Sequence, residues 1–334
     1  MRIPKYISPS SLTRWESDRE AFYLSYLADT RTPRDPQTDY MAIGSAFDAF
    51  VKAALFRDLF GITNDPEFEL DTIFTAQVEP HLRDWGWKAG KYALNCYKLC
   101  GAYDDLLDDL TASKFEPEFE FTVQKTVAGV PLMGKPDCRY IDKNGAHVIL
   151  DWKVNGFCAR SASSPYKYYQ LVRDGWHEST CKHSRSHGTA HKGYKAMTYK
   201  DVVIGSHTLD QTCADWADQL AIYSWMLGEP LTGEDVIVRI DQIVCKPQSR
   251  AFPLLRVANH ICRLSPEWQE ALLERILSCW KAIKSGHIFQ DVSLSESQER
   301  CELLDMQASV CAPVNSIEAW VLENAGKTTQ FRTR

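Results

Sequence analysis

The sequence predicts an α/β protein: one small mixed β-sheet flanked by helices, with a long basic insertion. Three features point there. Residues 1–114 carry helical periodicity, a strand pattern begins at Phe115, and helix, strand and helix alternate from Leu209 onward. At 334 residues the chain can bury one large core, and we read a single domain over 1–334. Within it, 1–114 is a helical part, 115–154 and 207–290 form the core, and 155–206 is the insertion.

Ser8 reads as an N-cap with Pro9 at the first helical position, and Leu12, Trp15, Phe22 and Tyr26 follow at near-helical spacing. That helix is expected to end before the proline-broken stretch Arg31–Pro36. A second helix runs from about Tyr40 to Phe60, with Ile43, Phe47, Phe50, Val51 and Ala54 on its apolar face. Asp71 to Leu110 reads as helical, rich in tryptophan and tyrosine and then sharply acidic. Phe119–Gln124 alternates as a half-buried strand does, and Val130–Met133, Cys138–Ile141 and His147–Trp152 read as further strands. Asp142-Lys143-Asn144-Gly145 is a hairpin signal between the last two. Polar sequence punctuated by proline and glycine follows from Asn155 to about Ser206. Helix is expected over Leu209–Leu227, strand over Val236–Val244, and helix over Pro266–Ser285 behind an N-cap at Ser265. The tail after Gly286 is mixed.

Composition narrows the function. A net charge of −6 argues against an indiscriminate binder of polyanions. No apolar run approaches the roughly 20 residues of a membrane span, and Met1–Tyr6 has no apolar stretch behind it, so a cytoplasmic protein is expected. The 11 cysteines show no CxxC pair and are expected to be reduced and packed, with Cys96 and Cys100 on one helix face. The absence of a glycine-rich dinucleotide or phosphate loop sets aside a cofactor-dependent small-molecule enzyme. The charge is unevenly spread: Trp152–Lys200 is strongly basic, whereas Tyr103–Glu120 is strongly acidic and reads as a solvated helix end.

One constellation carries chemistry. Gly134-Lys135-Pro136-Asp137 is followed, after the two strands, by Asp151-Trp152-Lys153. Asp151 and Lys153 are two apart on a strand and project from one face. A two-residue Asn144-Gly145 turn sets Asp137 opposite Trp152. A three-residue Lys143-Asn144-Gly145 loop with Gly145 left-handed sets it opposite Asp151, and the sequence suits this second turn. Two carboxylates side by side with an ammonium beside them are therefore expected. Such a pair is costly to bury without a proton or cation, and an oxygen-only pocket favours Mg²⁺ or Mn²⁺. The ion would polarise a scissile phosphate and acidify a bound water. Lys153 could orient or deprotonate that water, or stabilise charge on the reacting phosphorus. The bland alternative is a surface hairpin bearing ordinary charges.

The Gly-x-x-Asp turn, short hairpin and Asp-x-Lys resemble the core of PD-(D/E)XK nucleases. Further segments resemble their RecB-like and phage-exonuclease branch. These are Ser8-Pro9-Ser10-Ser11-Leu12 through Phe22-Tyr23, Ile43-Gly44-Ser45-Ala46-Phe47-Asp48, and Gln219-Leu220-Ala221-Ile222-Tyr223, in family order over roughly residues 8 to 290. The resemblance implies a restriction-endonuclease-like core and hydrolysis of DNA phosphodiesters. It implies Asp137, Asp151 and Lys153 as catalytic groups, with Gln219 and Tyr223 on one helix face beside them. It implies Asp48, Asp137, Asp151 and the backbone carbonyl of Trp152 as metal ligands, with Glu120, rather than Glu118, as an additional one. Asp48 stands where many relatives carry histidine. Some relatives hold an iron–sulfur cluster with one cysteine in the opening helix and three near the C-terminus. Here Ser17-Asp18-Arg19-Glu20 has none and the tail has only Cys301 and Cys311, so no cluster is expected.

The insertion combines Arg160, Lys167, Arg173, Lys182, Arg185, Lys192 and Lys195 with Tyr166, Tyr168, Tyr169, Trp176, Tyr194 and Tyr199. We read it as a DNA-facing flap whose cations meet phosphates and whose rings stack on bases. Cys181, His183, His187 and His191 read as part of that polar loop rather than as a zinc site. The expected partner is DNA, as double-stranded ends or single strands, in a bacterial or phage-infected cell, with a single-strand annealing protein as a further partner in recombination. An exonuclease on linear ends is favoured, a structure-specific or defence endonuclease is the alternative, and a silent DNA-binding scaffold is the reading from another class. The oligomeric state stays open.

Overall fold

The computed structural model describes residues 1–30, 35–61, 68–99, 101–119, 122–155, 169–171, 200–204, 208–210, 213–228, 236–246 and 254–311. They fall into two compact units, one of residues 1–35 with 274–334 and one of residues 36–273. In the first unit the expected opening helix is broken in two. Helix α1 (Pro9–Ser17) starts at Ser8, whose hydroxyl accepts the Ser11 N–H while Ser11 reciprocates at the Ser8 N–H. It stops at Asp18, which is extended and accepts the Ala21 N–H, so the same residue caps α2 (Arg19–Phe22).

The unit of residues 36–273 holds the sheet. Helix α3 (Asp39–Phe60) buries Ile43, Phe47, Phe50, Val51 and Ala54, the face its periodicity marks out. It packs against α4 (Leu70–Gln77), α5 (Arg83–Leu99) and α6 (Ala102–Thr111). The expected single helical region is interrupted around Pro80, which opens a short 3₁₀ turn, and at Gly101, which is left-handed with φ 88°.

Seven strands form a mixed sheet in the order β1 (Glu118–Phe119), β4 (Cys138–Ile141), β5 (His147–Asn155), β8 (Val236–Lys246), β9 (Leu254–Cys262), β7 (Lys200–Ile204) and β6 (Tyr169–Leu171). The expected Phe119–Gln124 strand is divided. Glu118–Phe119 joins the large sheet, while β2 (Val123–Val127) pairs with β3 (Val130–Gly134) in a separate hairpin. Strand β9 has no counterpart in the sequence reading, because Arg256, Asn259 and His260 break its apolar alternation. Strands β6 and β7 both lie within the expected insertion and pair antiparallel. Helix α7 (Ala214–Leu227) packs on β2, β3 and β5.

Alternation along β5 separates two environments. Val148, Leu150, Trp152 and Val154 join the apolar core with α3, and the rings of Phe47 and Trp152 meet edge-on at 6.5 Å. A charged network is embedded in that core, where Arg239 and Asp241 of β8 lie beside Leu150 and Trp152. Arg239 donates to Asp241 at 3.0 Å, to Tyr140 at 3.0 Å and to Asp109 at 2.9 Å, and Tyr97 donates to the other Asp241 oxygen. Helix α8 (Pro266–Ser285) begins at Ser265 as its sequence indicates, and its later turns belong to the first unit. There α9 (Leu294–Cys311) supplies Asp305, which accepts the Tyr23 hydroxyl at 2.7 Å. No helix among the described residues is long and apolar enough to cross a membrane.

Candidate active site

The β4–β5 hairpin sets the site. Asp142 accepts the Gly145 N–H and donates to Ala146, and Gly145 is left-handed with φ 93°. This is the three-residue loop. It pairs Ile141 with His147 and Cys138 with Leu150, and the same register brings Asp137 level with Asp151. Asp137 is anchored there by the Trp152 N–H, which it accepts at 3.0 Å through Oδ2.

Asp151 is 4% exposed and projects toward α7. Gln219 and Tyr223 lie one turn apart on that helix. The Gln219 amide donates to Asp151 Oδ1 at 2.8 Å and to the Tyr223 oxygen at 3.0 Å, while its carbonyl accepts from Lys153 Nζ at 2.9 Å. Lys153 Nζ stands 2.6 Å from Asp151 Oδ2. One amide therefore connects a carboxylate, an ammonium and a phenol. Tyr223 reaches this position because Gly134 has no side chain: a Cβ there would lie 2.4 Å from the tyrosine ring.

Burial, helped by the charge of Asp137 and opposed by Lys153, pushes the Asp151 carboxyl up to about 6. Burial would lower the Lys153 ammonium, but the Asp151 carboxylate outweighs it and holds Lys153 above its ordinary value. Burial, with Asp151 adding to it, also raises the Tyr223 phenol, which stays protonated at neutral pH.

Asp48, the further expected ligand, belongs to another element. It comes from α3, on the Trp152 side of β5, and is held by Lys52 and Gln77, neither of which the sequence reading singled out. Lys52 Nζ lies 2.7 Å from Asp48 Oδ1, 2.8 Å from Oδ2 and 3.6 Å from Asp137 Oδ1. Gln77 donates to Asp48 Oδ2 at 2.9 Å. The available signal was a lysine four residues after an aspartate, inside the apolar stretch of a helix. Among the described residues, no three His, Cys, Asp or Glu side chains form a group fit to hold a metal. The remaining fit is narrower than three carboxylates. Asp137 and Asp151, level on adjacent strands, give an all-oxygen donor pair that suits a hard divalent ion.

Glu118 is exposed and faces Arg139 at 3.7 Å. Glu120 lies outside the described residues, as do Arg160, Lys167, Arg173, Lys182, Arg185, Lys192, Lys195 and the Cys181, His183, His187, His191 group. Cys96, Cys138, Cys213, Cys279 and Cys301 are buried thiols, and Cys100 lies outside the described residues.

No family model and no curated protein matches this chain. Among solved structures it is similar to an exonuclease candidate from Eubacterium rectale, with a TM-score of 0.44, 13% identity, and coverage of 84% of this chain and 82% of that one. It is also similar to SSO0001, with a TM-score of 0.26, 10% identity, and coverage of 80% and 84%. At these scores neither likeness bears on the activity of this chain.

Proposed function

We propose that this protein is a metal-dependent deoxyribonuclease with a PD-(D/E)XK-type site on a restriction-endonuclease-like core, acting as an exonuclease on linear DNA ends. One observation carries the reading. Asp137 and Asp151 are level across a hairpin, with Lys153, Gln219 and Tyr223 gathered on Asp151 in a single hydrogen-bonded cluster. A sheet has no structural need for a buried carboxylate whose pKa is driven upward, and such groups cluster at functional sites.

Asp137 and Asp151 would hold Mg²⁺ or Mn²⁺, with the Trp152 carbonyl as a backbone ligand. When bound, the ion supplies Lewis-acid polarisation of the phosphate and a more acidic water. The chain's own groups do the rest. Lys153 is an ammonium in this arrangement, so it acts as a fixed positive charge and donor toward the phosphoryl oxygens rather than as the base. Gln219 fixes both Lys153 and Asp151, which keeps the donor and the carboxylate in register. Tyr223, a neutral phenol, is a donor toward a backbone phosphate. The basic residues of the insertion would meet the DNA, and a single-strand annealing protein would take the product strand in recombination.

The test is cleavage of labelled linear double-stranded, linear single-stranded and closed circular DNA with Mg²⁺ or Mn²⁺. Wild type is compared with Asp151→Ala and Lys153→Ala. Loss of linear substrates alone, abolished in both variants, supports the exonuclease. Cutting of closed circles replaces it with an endonuclease. No cleavage, with DNA binding unchanged in the variants, leaves a binding protein and overturns the enzyme.

A further inference from the structure

Lys52 brings a second ammonium to the cluster, from a helix on the other side of β5. It is 1% exposed, and its Nζ is shared between both oxygens of Asp48, at 2.7 and 2.8 Å, and Asp137 Oδ1, at 3.6 Å. We propose that Lys52 is a resident cation of the centre. It neutralises Asp48 and Asp137 together, so Asp48 is a clamp for Lys52 rather than a metal ligand. The centre then takes one divalent ion, at Asp137 and Asp151, instead of two. This rests on the reading above that those two carboxylates bind a divalent ion.

Two arguments support it. The first is burial. For Asp48 to turn to a metal it must release Lys52, whose ammonium has no route to water at 1% exposure. A buried ammonium that loses its closest carboxylate gains little from water in return, so the exchange is costly. Asp48 is also held from a second side by Gln77, whose own backbone carbonyl accepts from Gln37 at 3.1 Å. The second is charge. Among the described residues, Asp48, Asp137 and Asp151 against Lys52 and Lys153 leave the cluster one negative charge. A single divalent ion with one phosphodiester brings it to neutrality. A second divalent ion would leave it doubly positive in a buried setting. The lysine thus takes the place that a second metal ion would otherwise fill.

Manganese titration of the full chain tests this without any cleavage, by calorimetry and by the paramagnetic resonance signal of unbound Mn²⁺. Wild type is expected to bind one ion, and Asp151→Asn to abolish binding. Lys52→Met keeps the side-chain length, removes the charge, and is expected to uncover a second ion. The charge-balanced double variant Asp48→Asn/Lys52→Met is expected to bind one ion again, with affinity changed less than about tenfold. Two ions in wild type, both dependent on Asp151, overturn the role of Lys52 and leave the nuclease reading intact. So does a single ion in Lys52→Met, or loss of binding in the double variant, which would make Asp48 a ligand. If wild type binds no Mn²⁺ that Asp151→Asn removes, both readings fall. Should Lys52→Met not fold, the wild-type count and the double variant, which removes one charge of each sign, decide the matter.

Discussion

Gly134→Ala is the smallest change that reaches the site from outside the charged cluster. The added Cβ would lie 2.4 Å from Tyr223 Cε1, 2.7 Å from Cδ1 and 2.8 Å from Met226 Cε, whereas ordinary contact begins at 3.4 Å. The tyrosine ring must therefore retreat by about 1 Å, and α7 is buried along this face, so little slack exists. Overpacking of this kind costs about 1–3 kcal/mol. The displaced phenol also pulls on Gln219, which it meets at 3.0 Å, and Gln219 positions both Asp151 and Lys153. A shift of about 1 Å in a positioning group lowers turnover by roughly 10²-fold. Urea denaturation reads the first effect, and single-turnover cleavage of linear DNA reads the second. Gly44→Ala is the control: nothing lies within 4 Å of its added Cβ, and it sits inside α3, so it should be neutral or gain up to about 1 kcal/mol. If Gly134→Ala matches wild type in both stability and turnover, the claim that this glycine exists to admit Tyr223 is wrong.

Three other changes probe the same architecture. Gln219→Leu removes the amide that links Asp151, Lys153 and Tyr223, and should cost about 1–3 kcal/mol in denaturation and about 10–100-fold in cleavage; unchanged values in both assays would contradict the bridge. The raised Asp151 carboxyl sets a pH dependence. Because its folded value of about 6 lies above the ordinary 3.8, the metal-free folded state binds the proton more tightly than the unfolded chain. Wild type should therefore gain stability relative to Asp151→Asn as pH falls from above 6 toward 4, by up to about 3 kcal/mol, and a flat difference across that window would refute it. Arg239→Met takes the guanidinium from the fully buried Asp241 and should cost about 3–5 kcal/mol, most of it recovered in Arg239→Met/Asp241→Leu; a single variant as stable as wild type would show that the pair contributes nothing.

Local chemistry explains what could be read in advance. The Ser8-Pro9 start of α1, the Ser265 start of α8 and the Asp142–Gly145 loop each depend on neighbours in sequence, and each folds as its residues require. The loop mattered most, because its length fixes whether Asp137 faces Asp151 or Trp152. The misreadings have the opposite origin. Asp18 can either continue a helix or cap a new one, and periodicity does not separate the two. Residues near Phe119 looked like one strand, yet Glu118–Phe119 and Val123–Val127 pair with different partners, a choice made by tertiary contacts.

Lys52 shows most clearly why a site can be legible while its charge balance is not. The pattern in α3 marks Ile43, Phe47, Phe50, Val51 and Ala54 as core, and a lysine among them reads as a solvent-facing interruption. Its actual neighbour, Asp137, lies 85 positions later in the chain, beyond three α-helices and the start of the sheet. Only the register of β4 on β5 and the packing of α3 against β5 bring the two charges within reach. Asp48, four residues earlier on the same helix, then takes a meaning that no spacing rule conveys. In a Gly-x-x-x-Asp motif it resembles a ligand, whereas in the proposal above the buried lysine beside it claims it as a counter-charge. Motifs identify which residues can do chemistry; the electrostatic balance around them decides which of those residues are left available to do it.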